Sequence, residues 1–158
     1  MISRIVGKEK TMRSIGVLTV AALFATAAFA QDAGKSAAPP RPKAPAHATV
    51  SIISPRIGAH TGQDVLVKFS AKGIAVAPAS ENKPGTGHHH LLIDVKALPP
   101  LDAPIPNDAT HKHYGKGQTE DTIHLEPGDH TLQLDFADAL HMQFDPPIVS
   151  KRITIHVK

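Results

Sequence analysis

Residues 87–95, Gly-His-His-His-Leu-Leu-Ile-Asp-Val, constrain the fold more than any other stretch of the chain. Successive side chains of an extended segment point to opposite faces. His88, His90, Leu92 and Asp94 therefore share one face, and His89, Leu91, Ile93 and Val95 share the other. Apolar groups on both faces predict a central strand of a sheet, buried on at least one side. Histidines at the head of such a strand are held by the scaffold and can be aimed at a metal, at a proton or at their neighbours.

Short runs of the same kind recur along the chain. Thr49–Ile53 is closed by Ser54-Pro55, and Asp64–Ala71 sets Val65, Val67 and Phe69 on one face. Ile74 and Val76 predict a short edge strand. Thr122–Leu125 and His130–Phe136 flank Glu126-Pro127-Gly128-Asp129, whose central Pro and Gly predict a hairpin. A final strand is predicted over Ile148–Val157. Lys96–Asp121, with Pro99, Pro100, Pro104 and Pro106, and Ala137–Pro147 read as loops. A connection as long as the first is usually functional or disordered, and the His111-Lys112-His113 within it favours function. About seven short strands in about 110 residues predict an all-β domain, an immunoglobulin-like antiparallel β-sandwich, with a small open barrel as the alternative. Aromatic residues are scarce and cysteine is absent, so the core must come from Val, Ile and Leu without a disulfide. The same absence excludes thiolate metal sites, iron–sulfur clusters and cysteine nucleophiles.

Residues 1–30 read as a secretory signal peptide. A basic start ends at Arg13, an apolar run covers Ile15–Ala27, and Ala28-Phe29-Ala30 offers a small-x-small cleavage site before Gln31. The run is shorter than the ~20 residues a spanning helix needs. Gln31 stands where a lipoprotein needs cysteine. The expectation is a protein released into the periplasm with no stable membrane anchor, whether Met1 or Met12 is the start. Residues 31–47, with four prolines among Ala, Lys and Arg, read as an extended, solvated linker. Residues 48–158 form the His-rich β-sandwich. The leader carries four of the 17 Lys and Arg but one of the 14 acids, so the net charge of +3 belongs to it and the mature chain is near neutral. Without a clustered basic face, nucleic acid is not an expected partner.

All eleven histidines follow residue 30. His124 and His156 fall on the polar sides of their strands and read as solvated, while His47 and His60 lie in loops without a partner motif. His89 and His130 fall on apolar rows at strand starts, where a backbone-bonded histidine and a ligand are both consistent. The others form two H-x-H pairs, His88/His90 and His111/His113, and His141 beside Met142. On a strand, H-x-H sets two imidazoles about 6 to 7 Å apart on one side, near enough to share an ion. Imidazole without thiolate suits Cu(II), Zn(II) or Ni(II), and a neighbouring Met would add a soft ligand for Cu(I). The candidate metal ligands are thus His88, His89, His90, His111, His113, His130 and His141. His90, His111, His113 and His141 would stand nearest the ion, with Asp94, Glu120 and Asp138 orienting imidazoles from outside. A structural or proton-linked histidine cluster is equally open on this pattern. No G-x-S-x-G elbow, phosphate loop or dinucleotide fingerprint is present, so no catalytic or organic-cofactor residue is assigned.

Further residues carry a family likeness. Gly87-His88-His89-His90-Leu91-Leu92-Ile93-Asp94 is followed by Pro104-Ile105-Pro106, His111-x-His113 and Gly115-Lys116-Gly117-Gln118-Thr119-Glu120. Leu125-x-Pro127-Gly128-x-His130-Thr131-Leu132-Gln133-Leu134, Asp138-x-x-His141 and Pro146-Pro147-Ile148-Val149-Ser150 complete the pattern. The stretch from about Gly85 to Val157 resembles domain of unknown function 4399, a family of small exported bacterial domains. The resemblance implies a periplasmic location and supplies no activity. That family often has a second histidine three residues after the one matched by His141; here the place is taken by Phe144.

Three functions are compatible with these observations. The first is a periplasmic module that binds copper or zinc for storage, delivery or sensing. The second is a metal-dependent hydrolase or oxidoreductase with Glu120 or Asp121 beside the His111/His113 segment. The third is a metal-free envelope interaction module whose histidines form a pH-sensitive network.

Overall fold

Alternating burial organises the chain into strands wherever the sequence alternates Val, Ile, Leu and Phe with polar residues. The structure, a computed structural model, describes residues 40–158. The secretory leader expected over residues 1–30, and the first part of the linker, lie outside the described residues. Ten strands follow in order: β1 (Thr49–Ser54), β2 (His60–Thr61), β3 (Asp64–Lys72), β4 (Ala75–Val76), β5 (Thr86–Ile93), β6 (His111–His113), β7 (Glu120–His124), β8 (Gly128–Ala137), β9 (Gln143–Val149) and β10 (Ile153–Val157). Among the described residues there is no helix, and so none long and apolar enough to cross a membrane.

The strands build two sheets in a sandwich-like arrangement, as the all-β reading expects. The smaller has the order β1-β3-β7; the larger runs β2-β10-β8-β5-β4, with β6 added to β5 and β9 added to β8. Val50, Val65, Val67, Phe69 and Ile123 from the smaller sheet meet Leu91, Ile93, Leu132, Leu134, Phe136, Ile148, Ile155 and Val157 from the larger. Each fully buried aliphatic or Phe side chain contributes about 1.5–3 kcal/mol. This single apolar layer therefore carries the stability of a domain that has no cysteine.

Several elements differ from the sequence expectation. β7 and β8 are not a hairpin. β7 pairs with β3, whereas β8 pairs with β5, β9 and β10, so Glu126-Pro127-Gly128-Asp129 carries the chain from one sheet to the other. A Pro-Gly turn looks the same in either role, because both need a tight reversal. The strand begun by the triple histidine ends at Ile93 rather than Val95, since Asp94 adopts a positive φ of 57°. The region read as a loop over Ala137–Pro147 contains the start of β9, with Pro146 and Pro147 inside it. Proline is tolerated there because β9 is an edge strand and needs fewer N–H donors. The chain is then broken at Ser150, so Ile148–Val157 is two strands.

The part of the proline-rich segment that is described lies against the domain. Lys43 bridges Asp145 in parallel, and the Ala44 N–H donates to the Asp145 carbonyl at 2.9 Å. Arg41 donates to the carbonyls of Gln143 and Phe144, and Lys43 pairs with the Asp145 carboxylate. The segment thus caps the open edge of β9.

Candidate metal centre

β5 sits between β8 on one side and β4 and β6 on the other, and both of its faces are covered. Its inner face turns His89, Leu91 and Ile93 toward the apolar core, where the His89 ring packs 5.2 Å from Phe69 and 5.0 Å from Phe136. Its outer face carries His88, His90 and Leu92, all fully buried beneath the crossover that leaves the end of β5. That crossover is pinned over the sheet. The Ile105 N–H donates to the His141 carbonyl at 2.8 Å, and Gln143 Nε2 donates to the Pro99 carbonyl at 3.0 Å.

β6 lays His113 directly opposite His90 in the antiparallel register. Cross-strand partners share a face and stand close. The fourth imidazole arrives from the turn between β8 and β9. There Asp138 Oδ1 accepts the N–H groups of Leu140 and Met142, each at 2.9 Å, and the His141 N–H donates to the Asp138 carbonyl at 2.9 Å. His141 itself has φ 61°. A non-glycine residue there costs on the order of 1–3 kcal/mol and persists where the surroundings over-determine it. Histidine is among the residues enriched in this region.

The result is a nest of four imidazoles, His88, His90, His113 and His141, each offering one nitrogen within 4.8 Å of all the others. His88 Nε2 and His90 Nε2 are 3.1 Å apart, and His113 Nε2 and His141 Nε2 are 3.2 Å apart. His141 stands edge to face with each of the other rings, 4.7 Å from His113, and His88 meets His113 in the same way at 4.8 Å, while His90 is tilted against His88 and His113. Four nitrogens bound tetrahedrally at about 2.0–2.1 Å from zinc lie about 3.3 Å from one another. Two of the pairs are already near that spacing, and the others, within 4.8 Å, would have to close toward it around an ion.

Protonation favours the same use. Burial pushes His90 down to about 2 and His88 down to about 3, helped by the mutual repulsion of the neighbouring rings. Burial and the neighbouring His141 lower His113 as well. His88, His90 and His113 are therefore neutral at ordinary pH, the form that binds a metal. Two glycines make room. A side chain at Gly115 would strike the His113 ring, and one at Gly87 would strike the Phe136 ring and the Ala137 carbonyl. The His113 ring thus lies over bare backbone.

The remaining candidates lie elsewhere. His89 faces the core, and burial lowers it to about 4. His111 is on β6, but its ring meets Asp108 Oδ1 at 3.0 Å and Thr110 Oγ1 at 3.0 Å. His130 meets Asp94 Oδ2 at 2.7 Å through Nδ1 and the Glu126 carbonyl at 2.9 Å through Nε2. Of the three carboxylates expected to orient imidazoles, Asp94 holds His130 instead. Glu120 pairs with Lys68 at 3.0 Å, and Asp138 positions His141 through the backbone of the turn. Met142 is fully buried under the same turn.

Two neighbours are not visible as site residues in the sequence. Asp135 falls in the polar row of β8, away from Leu132, Leu134 and Phe136; it is fully buried, and burial pushes its carboxyl up to about 7. Gln143, on β9, is also fully buried. The signal that could reveal Asp135 is its register opposite His90, and register is not visible in a single sequence. Beside the nest, a cavity of about 290 Å³ is walled by His113, Tyr114, Asp108, Lys112, Glu120 and Asp121, among others. It gives the half-buried side of the nest a polar surround.

Fold and site together define a small two-sheet β-domain with a buried histidine cluster that could hold a metal ion. The chain belongs to the family described as Domain of unknown function (DUF4399), which matches residues 67–158 and so includes all four histidines. No curated protein and no solved structure matches the chain.

Proposed function

We propose that the protein is an exported, periplasmic module that binds one transition-metal ion, copper or zinc, for storage, delivery or sensing. His88, His90, His113 and His141 are its ligands. The observation that carries this reading is the convergence of four imidazole nitrogens within 4.8 Å from three separate segments. Like polar rings with no counter-charge between them gather at a cost, and a shared cation offsets it. An all-nitrogen set suits Cu(II) and Zn(II) better than hard, oxygen-seeking ions. Export rests on the basic, then apolar, then Ala-Phe-Ala pattern of residues 1–30.

Calorimetric titration of the tag-free mature protein, dialysed against chelator, tests it. The expected result is about one equivalent of Cu(II) or Zn(II) taken up. Silence with every first-row divalent ion ends the proposal. The cavity beside His113 favours one second reading, a metal-dependent hydrolase or oxidoreductase that admits substrate there. Asp121 accepts a hydrogen bond from the Tyr114 hydroxyl at 3.1 Å, and Glu120 is paired with Lys68, so both carboxylates are engaged. Turnover that disappears on chelation and returns with metal would establish that reading over simple binding.

A further inference from the structure

Behind the four imidazoles lies a second set of buried polar atoms, none of them hydrogen-bonded to another side chain, with only the Phe136 backbone and Arg41 acting on the carboxylate. They are Nδ1 of His88, Nδ1 of His90, both carboxylate oxygens of Asp135 and Oε1 of Gln143. Their arrangement is set by strand register. His90 stands opposite Asp135 across the β5–β8 ladder, and His88 stands opposite Ala137, which in turn stands opposite Gln143 across the β8–β9 ladder. Residues paired this way project from the same face. The small Ala137 therefore separates His88 from Gln143 by one methyl group. Gln143 is oriented by its own Nε2, which donates to Pro99, and this leaves Oε1 as the free end of the amide.

The donors and acceptors of this layer are complementary. When Nε2 of an imidazole coordinates a metal, Nδ1 must carry the proton and seeks an acceptor. An unpaired buried donor or acceptor costs on the order of 1–3 kcal/mol, and an unpaired buried carboxylate costs more. The charges are complementary too. Four neutral imidazoles leave a bound dication uncompensated, and Asp135, on which Arg41 already acts, is the buried carboxyl on that face of the sheet whose ionised form a bound cation would favour.

We propose that Asp135 and Gln143 are positioning residues of the metal centre, standing on the Nδ1 side of His90 and His88 and accepting their Nδ1 protons when the ion is bound. They thereby fix Nε2 of each ring toward the ion, and Asp135 supplies the compensating negative charge. The purpose of this layer rests on the metal-binding reading; the pairing itself does not.

Zinc affinity by chelator competition, together with ¹⁵N imidazole spectra of the metal-free and zinc-loaded protein, tests the assignment. Asp135→Asn is expected to weaken zinc about 10- to 100-fold, to shift the His90 Nδ1 resonance, and to leave the metal-free melting temperature unchanged or raised. Gln143→Leu is expected to shift His88 Nδ1 and weaken zinc less. In the zinc-loaded wild type, both Nδ1 protons should be visible and slow to exchange, a readout that needs no variant. Zinc affinity within twofold of wild type in Asp135→Asn, with His90 Nδ1 unmoved, overturns the proposal. A lower metal-free melting temperature with unchanged zinc affinity does the same, because that is a purely structural role. If the wild type binds no zinc, the metal reading falls, and the His90 Nδ1 shift in the metal-free variant alone decides the pairing.

Discussion

Histidine occupies two kinds of setting in this domain. On the outer face of the larger sheet, His88 and His90 are fully buried, and the groups at their Nε2 atoms are other imidazoles. Along the margins, His124 lies 2.8 Å from Asp64, His130 lies 2.7 Å from Asp94, and His156 lies 2.6 Å from Asp129. The same side chain is thus prepared for opposite tasks. Burial among like groups strips the proton and leaves a lone pair for a metal. At His130 a carboxylate neighbour favours the proton and an ion pair. His130 shows the contest within one residue: burial would lower it, but Asp94 and the Glu126 carbonyl outweigh burial and raise it. What separates the two regions is the position of carboxylates, not the number of histidines. In the nest the nearest buried carboxylate, Asp135, comes from the neighbouring strand and makes no hydrogen bond to a ring.

The contrast can be broken most sharply by exchanging ligands. His90→Gln should reduce copper or zinc affinity by more than about 100-fold, beyond the loss typical of an outer partner, while His124→Gln should leave it within twofold. Chelator competition reads both, and equal losses would erase the distinction. Next in size is stabilisation by the ion. At 100-fold excess over Kd, binding to the folded state contributes about 2.7 kcal/mol, or a rise on the order of 10 °C in Tm for a domain of this size. Thermal melts should show the rise in wild type and in His156→Gln but not in His90→Gln.

The pH dependence of the metal-free protein should carry opposite signs in the two regions. The folded values of His88 and His90 lie near 3 and 2, below the unfolded value of about 6.5. Between those limits the unfolded chain binds protons that the folded chain refuses. Stability therefore falls with falling pH below about 6.5, by up to about 1.4 kcal/mol per pH unit for each such histidine. His90→Gln should flatten that limb. For His130 the folded value is raised, so its contribution is present below about 6.5 and lost as pH rises through the folded value. His130→Gln should cost about 1 kcal/mol or less at pH 5 and less at pH 9, measured by denaturant unfolding. The smallest effect belongs to His124, whose pair is exposed. Its replacement by Gln should change stability by no more than about 0.5 kcal/mol at any pH.

Much of the fold is legible in residue order alone. Alternation in Asp64–Lys72 and in His130–Phe136 marks two of the strands that build the core, because one face of each must be apolar. The pairing of His88 with His90 follows from the same period. Other features are hidden for definite reasons. Pro146 and Pro147 mask a strand because an edge position forgives the missing donors. The Pro-Gly turn before β8 conceals a change of sheet because a tight reversal serves either topology. His111 and His113 are equivalent as an H-x-H, yet Asp108 and Thr110 claim His111 while Gly115 leaves space for His113. Asp135 lies in the polar row of an alternating strand, and alternation alone does not say that this face is also covered.

By itself, the sequence determined the strand period, the absence of thiol chemistry, and which side chains could serve as neutral nitrogen ligands. These are local properties of residue type and spacing. Tertiary structure alone decided which four of the eleven histidines meet, which carboxylates are kept from them, and which face of the sheet is covered. Those outcomes depend on register between strands far apart in the chain and on a crossover folding back over β5. A contact between distant segments is an agreement of two surfaces, and neither segment encodes it separately.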